Sequence, residues 1–228
     1  MSILIENYQN VLNEISSAAV AAGRDPDEVK LLVVSKTMPL WMLQELYDAG
    51  VREFGENREP ELAEKNQQMP SDVIWHFIGP VQSNKIRKVV KCAKVIHSVS
   101  SLSQIEKFER ISGEEGVTPE ILLEVNISGE LSKGGLTPAE LPAAALAASK
   151  CSNIKFRGLM TMAPLNADSA GLKQIFSALN SLRNQCEQEN HISLPVLSMG
   201  MSGDFPEAIS CGATIVRVGS KIFAGVER

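Results

Sequence analysis

The stretch VKLLVVSKT, Val29 to Thr37, decides the fold. Leu31, Leu32, Val33 and Val34 follow one another without alternation, the pattern of a parallel strand covered on both faces. The run ends near Lys36, and in α/β sheets and barrels alike ligands bind at the carboxyl ends of the strands. An amine closing a buried strand would lose its charge readily and serve as a nucleophile.

Outward from this run, short apolar stretches alternate with helical periodicity. Candidate strands end near Lys36, Gly55, Gly79, Ser98, Asn126, Leu159, Ser198 and Arg217. Between them, Leu40, Leu43, Leu46 and Tyr47 close at Gly50, and Leu172, Ile175, Phe176, Leu179 and Leu182 repeat at helical spacing. Before the first strand, Leu4, Tyr8, Val11, Leu12 and Ile15 predict an amphipathic helix within residues 1–23, stopped by Gly23. Eight alternations of strand and helix predict an α/β fold, a single (β/α)8 TIM-like barrel spanning residues 1–228 with an extra N-terminal helix packed on it. No linker marks a second domain. An open Rossmann-like sheet is the competing architecture, but no G-x-G-x-x-G follows the first strand.

A net charge of −5 argues against general affinity for nucleic acid or anionic membranes, and no apolar run approaches the length of a membrane span. Cys92, Cys151, Cys186 and Cys211 form no C-x-x-C pair, so neither a zinc site nor a disulfide framework is expected and a reducing cytoplasm fits. The opening residues lack the basic start and apolar core of a signal peptide. His76, His97 and His191 are too scattered to predict a metal cluster.

In a barrel, the residues just after each strand build the active face. Here they include Lys36, Asn57 in FGEN, Asn126 in EVNIS, Met160 in GLMTMAP, Ser202 in LSMGMSGD, and Arg217, Gly219 and Ser220 in VRVGSK. The last two loops occupy the position where barrels often bind phosphate, and their glycines, hydroxyls and backbone donors suit a phosphate dianion. Phosphate at one side of the mouth and a lysine at strand one point to a phosphorylated aldehyde held as a Schiff base. Pyridoxal 5′-phosphate is the common case, with Arg217 placed beside the ring nitrogen. An arginine there leaves that nitrogen unprotonated and weakens the electron sink, which favours holding the cofactor over carbanion chemistry.

The motifs VVSKT, FGEN, WHFIGPVQSNK, IHSV, EVNIS, SKGG, GLMTM, LSMGMSGD and TIVRVGSKIFAG, in this order from Val29 to Gly225, resemble the pyridoxal phosphate homeostasis protein family. The resemblance implies a barrel similar to the N-terminal domain of alanine racemase. It implies the cofactor on Lys36, Arg217 at the pyridine nitrogen, Ser202, Gly219 and Ser220 around the phosphate, and Asn57 and Met160 lining the ring. The chain departs from the family pattern at Arg58 and Pro60 after FGEN, at Gly203, where an acidic residue is common, and at Lys221, where a small one is usual. These positions are expected to flank the pocket.

Three functions compete. The first is a carrier that holds pyridoxal phosphate on Lys36 and releases it to apo-enzymes. The second is an amino-acid racemase, which needs a base on each face of the substrate carbon. Tyr8 and Tyr47 are the only tyrosines and neither falls at a strand end, and the chain ends soon after the eighth strand, so little racemase activity is expected. The third is a regulatory module acting through a protein partner. Lys133, in the glycine-containing SKGGL loop, is a candidate second acceptor in cofactor transfer. Lys85 is expected on a helix surface, His76 and His97 are expected as packed strand residues without catalytic roles, and Cys211 is expected to pack in the last helix. A monomer is the expected state.

Overall fold

The computed structural model describes residues 2–130 and 134–227. Eight parallel strands close into a barrel in sequence order: β1 (Lys30–Val34), β2 (Glu53–Glu56), β3 (Ile74–Phe77), β4 (Val95–Val99), β5 (Glu120–Glu124), β6 (Lys155–Met160), β7 (Val196–Met201) and β8 (Ile215–Val218). The seam joins β1 to β8 through Lys30 opposite Ile215 and Val33 opposite Val218. Among the described residues no sheet edge is left open, and the helices cover the outer face, as the unbroken apolar run Leu31–Val34 predicts. β4 is buried along its whole length.

The outer layer comprises α1 (Ile3–Ala21), α2 (Leu40–Asp48), α3 (Glu59–Gln68), α4 (Ile86–Cys92), α5 (Leu102–Glu115), α6 (Leu141–Ser149), α7 (Ser169–Asn190) and α8 (Phe205–Ser210). Their ends follow ordinary capping chemistry. The Ser2, Ser101 and Asp168 side chains accept the amides of Ile5, Gln104 and Gly171, and α5 stops at Gly116 in the left-handed conformation. The predicted extra helix is α1, which buries Leu4, Val11, Ile15 and Ala19. It is tied to the rest by Asn7, which donates to the carbonyls of Ile222 and Ala224, and by Arg24 just beyond it, which donates to those of Ile209 and Ala213.

Side chains alternate across each strand. In β3, Trp75 and Phe77 pack toward the helices, and Phe54 of β2 meets Trp75 at 5.9 Å between ring centroids. His76 between them points into the barrel.

Four expected boundaries shift by two or three residues, with β3 ending at Phe77 rather than near Gly79 and β7 at Met201 rather than near Ser198. β1 ends at Val34, so Lys36 lies in the following turn, and β5 ends at Glu124, beyond which only a single bridge from Val125 to Leu136 continues the pairing. Lys85 ends a short 3-10 helix, Ser83–Lys85, just before α4, with its side chain partly exposed as expected, and pairs with Glu59 at 3.2 Å. Cys211 caps α8 and is half-buried.

Candidate functional site

The barrel order places the sequence-predicted residues along one arc of the carboxyl-terminal rim: Asn57 after β2, Lys36 after β1, Gly219 and Ser220 after β8, Ser202 after β7, and Met160 ending β6. Lys133 lies outside the described residues.

Lys36 occupies a tight turn closed by the Met38 amide on the Ser35 carbonyl at 3.1 Å. Thr37, a β-branched residue, takes φ 63° there, in the left-handed region that glycine normally fills. The expectation of a buried lysine is therefore corrected. The turn lifts Lys36 out of the strand, its side chain is exposed, and among the described residues it makes no hydrogen bond or ion pair.

The buried lysine is Lys65, from α3. Its Nζ donates to Glu56 Oε1 at 2.6 Å and to the Ser35 carbonyl at 2.9 Å, while the Ser35 hydroxyl donates to the same carboxylate oxygen at 2.6 Å. Glu56 and Ser35 are fully buried and Lys65 nearly so. The three groups anchor the base of the Lys36 turn. A cleft of about 440 Å³ opens between that turn and α3, lined by Thr37, Pro39, Glu61, Glu64, Lys65 and Gln68. Neither Arg217 nor Gly219 is among its lining residues.

Arg217 lies inside the barrel with 4% exposure. Its Nη1 donates to Ser198 Oγ at 2.6 Å and its Nη2 to the Thr161 carbonyl at 3.0 Å, which brings it beside Met160. Burial lowers its pKa to about 10, against the opposing pull of the Asp204 and Glu124 carboxylates. Those two carboxyls are themselves raised by burial, Glu124 against the Arg217 charge and Asp204 against both its bond from the Met201 amide and that charge. A buried cation thus has two carboxyls beside it whose pKa values burial raises and its charge holds back.

Backbone proximity fixes two glycines. A Cβ on Gly219 would lie 2.7 Å from the Val34 carbonyl oxygen, so only glycine lets the start of the last loop press against the end of β1, two residues before Lys36. A Cβ on Gly79 would lie 2.1 Å from the Asn57 carbonyl oxygen, and this contact sets where Asn57 sits.

Of the departing residues, Arg58 precedes α3 and pairs with Glu61 at 3.5 Å, Pro60 occupies the first turn of α3, where proline is tolerated, and Gly203 is exposed. Lys221 turns to the helix layer rather than the pocket, pairing with Glu14 of α1 and lying 5.0 Å over the Phe205 ring. The tyrosines are remote from the rim. Tyr8 is in α1, and Tyr47 in α2 donates its hydroxyl to Asp72 at 2.7 Å.

Sequence reasoning missed how the histidines meet. His76 Nδ1 and His97 Nε2 are 2.8 Å apart, and His97 Nδ1 is 2.8 Å from Ser198 Oγ. They are strand residues, as expected, but they are hydrogen-bonded across the interior rather than merely packed. The available signal was that each is a polar residue on the inward face of a buried strand.

The profile of the alanine racemase N-terminal domain family matches residues 10–226. A pyridoxal phosphate homeostasis protein from Pseudomonas aeruginosa is 40% identical over 225 residues, covering 98% of this chain and 96% of its own. The chain belongs to the pyridoxal phosphate homeostasis protein family. Among solved structures, PipY of Synechococcus elongatus with pyridoxal phosphate bound superposes with a TM-score of 0.82 at 38% identity, over 92% of this chain and all of that one. An alanine racemase from Clostridium difficile shares the fold, with a TM-score of 0.77 at 15% identity, over 98% of this chain and 58% of its own. The expected barrel and its likeness to the racemase N-terminal domain are both found.

Proposed function

We propose that this chain binds pyridoxal 5′-phosphate as a Schiff base on Lys36 and serves in the cofactor's supply inside the cell, handing it to apo-enzymes without strong catalysis of its own. The observation that carries this reading is an exposed, unpaired amine on the same rim arc as a buried guanidinium. The residues present fit the cofactor. Arg217 is a donor-only group suited to an unprotonated ring nitrogen, Ser202, Gly219 and Ser220 would hold the phosphate, and Asn57 and Met160 would flank the ring. When bound, the cofactor would supply an aldehyde for the Lys36 amine. Exposure of Lys36 favours an amine that can both accept and return its cargo.

The racemase reading lacks support in the positions of Tyr8 and Tyr47, neither of which lies at a strand end. Four free thiols, with Cys151 and Cys186 raised to about 11 by burial, accord with a reducing cytoplasm. Lys133 remains our candidate for a transfer step, and a monomer our reading of the working state.

Adding pyridoxal phosphate to the purified protein should produce a yellow near-visible band. The loaded protein should then restore activity to an apo-form of a pyridoxal phosphate enzyme while leaving L-alanine unracemised. Absence of the band would refute cofactor binding, and sustained alanine turnover would refute the carrier reading.

A further inference from the structure

A file of polar groups crosses the barrel interior. It starts at Glu53, the first residue of β2, passes His76 of β3, His97 of β4 and Ser198 of β7, and ends at Arg217 of β8. Contacts along the file measure 3.2 Å between Glu53 Oε2 and His76 Nε2, then 2.8 Å, 2.8 Å and 2.6 Å. The first is too poorly aligned to count as a hydrogen bond, and the other three are hydrogen bonds. His76, His97 and Ser198 are buried, and the file joins the amino-terminal end of the barrel to the buried guanidinium.

Donor chemistry narrows the direction. Arginine only donates, so Ser198 Oγ accepts from Arg217. Burial first, then the neighbouring His76 and Arg217, holds the His97 pKa well below 6.5, so His97 is neutral and offers one donor and one acceptor. Contact with His76, reinforced by Lys30 at 3.1 Å, lowers Glu53 to about 2 despite its burial, so Glu53 is an acceptor only. The order that puts an N–H toward the carboxylate with one proton on each ring has the Ser198 hydroxyl donate to His97 Nδ1, His97 Nε2–H to His76 Nδ1, and His76 Nε2–H face Glu53. The reverse order needs either a His76 lone pair aimed at Glu53 or a second proton on the His76 ring.

We propose that His97, with His76 and Glu53 behind it, is a positioning residue for Arg217. It commits the Ser198 proton away from the guanidinium, leaving the serine oxygen as a fixed acceptor and holding Arg217 in place for the ring nitrogen of the ligand. Each of the three hydrogen bonds polarises the next, and the Glu53 carboxylate acts on the first histidine by charge at 3.2 Å. The ligand clause rests on the cofactor reading above, whereas the positioning of Arg217 does not.

The test begins on ligand-free protein. Nitrogen-15 NMR of wild type at neutral pH should show Nδ1 bare and Nε2 protonated in both His76 and His97. The Arg217 guanidinium should show slow rotation that quickens in Ser198→Ala and His97→Leu. Glu53→Gln, altered only at the far end, should also quicken it. In loaded protein, release of pyridoxal phosphate should rise roughly tenfold in His97→Leu and several-fold in Glu53→Gln, the scale of one weakened hydrogen bond. Opposite tautomers, or an Arg217 signal indifferent to all three substitutions, would overturn the proposal. So would release rates matching wild type in variants whose Arg217 signal had changed. Failure of wild type to bind pyridoxal phosphate would refute the cofactor reading alone, with the NMR results still deciding whether the file positions Arg217.

Discussion

Replacing Lys65 with methionine is expected to cost about 3–5 kcal/mol of stability, because it leaves the Glu56 carboxylate buried without its cation. Lys65 Nζ lies 2.6 Å from Glu56 Oε1, and Glu56 has no exposure at all. Its second oxygen already lacks a partner among the described residues, so water offers no ready substitute. The loss also reaches the proposed attachment point, since Lys65 donates to the Ser35 carbonyl that closes the Lys36 turn. Urea unfolding checks the magnitude. The double variant Lys65→Met with Glu56→Gln should recover most of the loss, because a neutral amide still accepts from the Ser35 hydroxyl. A single-variant cost below about 1 kcal/mol would place the pair among hydrated surface ion pairs and contradict its role.

Arg217→Met should produce two effects. Ser198 Oγ and the Thr161 carbonyl each lose a charged donor, for a net cost of about 2–4 kcal/mol after the gain from an apolar side chain. The ring nitrogen of the proposed ligand loses its donor too, weakening pyridoxal phosphate binding by roughly 10- to 100-fold. The pH dependence separates this from generic damage. Glu124 and Asp204 have folded-state pKa values raised by burial and held back by Arg217, and without it they rise further. A raised carboxyl contributes stability that is present below its unfolded pKa and lost as pH rises through the folded value. The stability gap between variant and wild type should therefore be wider at neutral pH than near pH 4. An equal gap at both would mean that Arg217 does not control these acids.

The barrel was legible because a parallel strand covered on both faces is largely apolar, a mark that Leu31–Val34 carries outright, and because seven further short runs alternate with helical periodicity after it. The rim residues were legible because their position follows from chain order once the barrel is accepted. What escaped depended on register and turn geometry. The exposure of Lys36 follows from a left-handed Thr37, which nothing in the residue type signals. Lys65 sits in a polar helix, EPELAEKNQQ, whose composition gives no hint that one lysine reaches under the neighbouring strands. His97 and Ser198 are 101 residues apart, on strands that face each other across the interior, so only the closed barrel brings them together.

The central claim is covalent attachment at Lys36. The most direct test is to load the protein with pyridoxal phosphate, reduce it with borohydride and map the modified peptide by mass spectrometry, beside Lys36→Ala treated alike. We expect one pyridoxyl group on the peptide containing Lys36 in wild type and none in the variant. An adduct on Lys65, Lys133 or another lysine, or one that survives in Lys36→Ala at wild-type yield, would contradict the account.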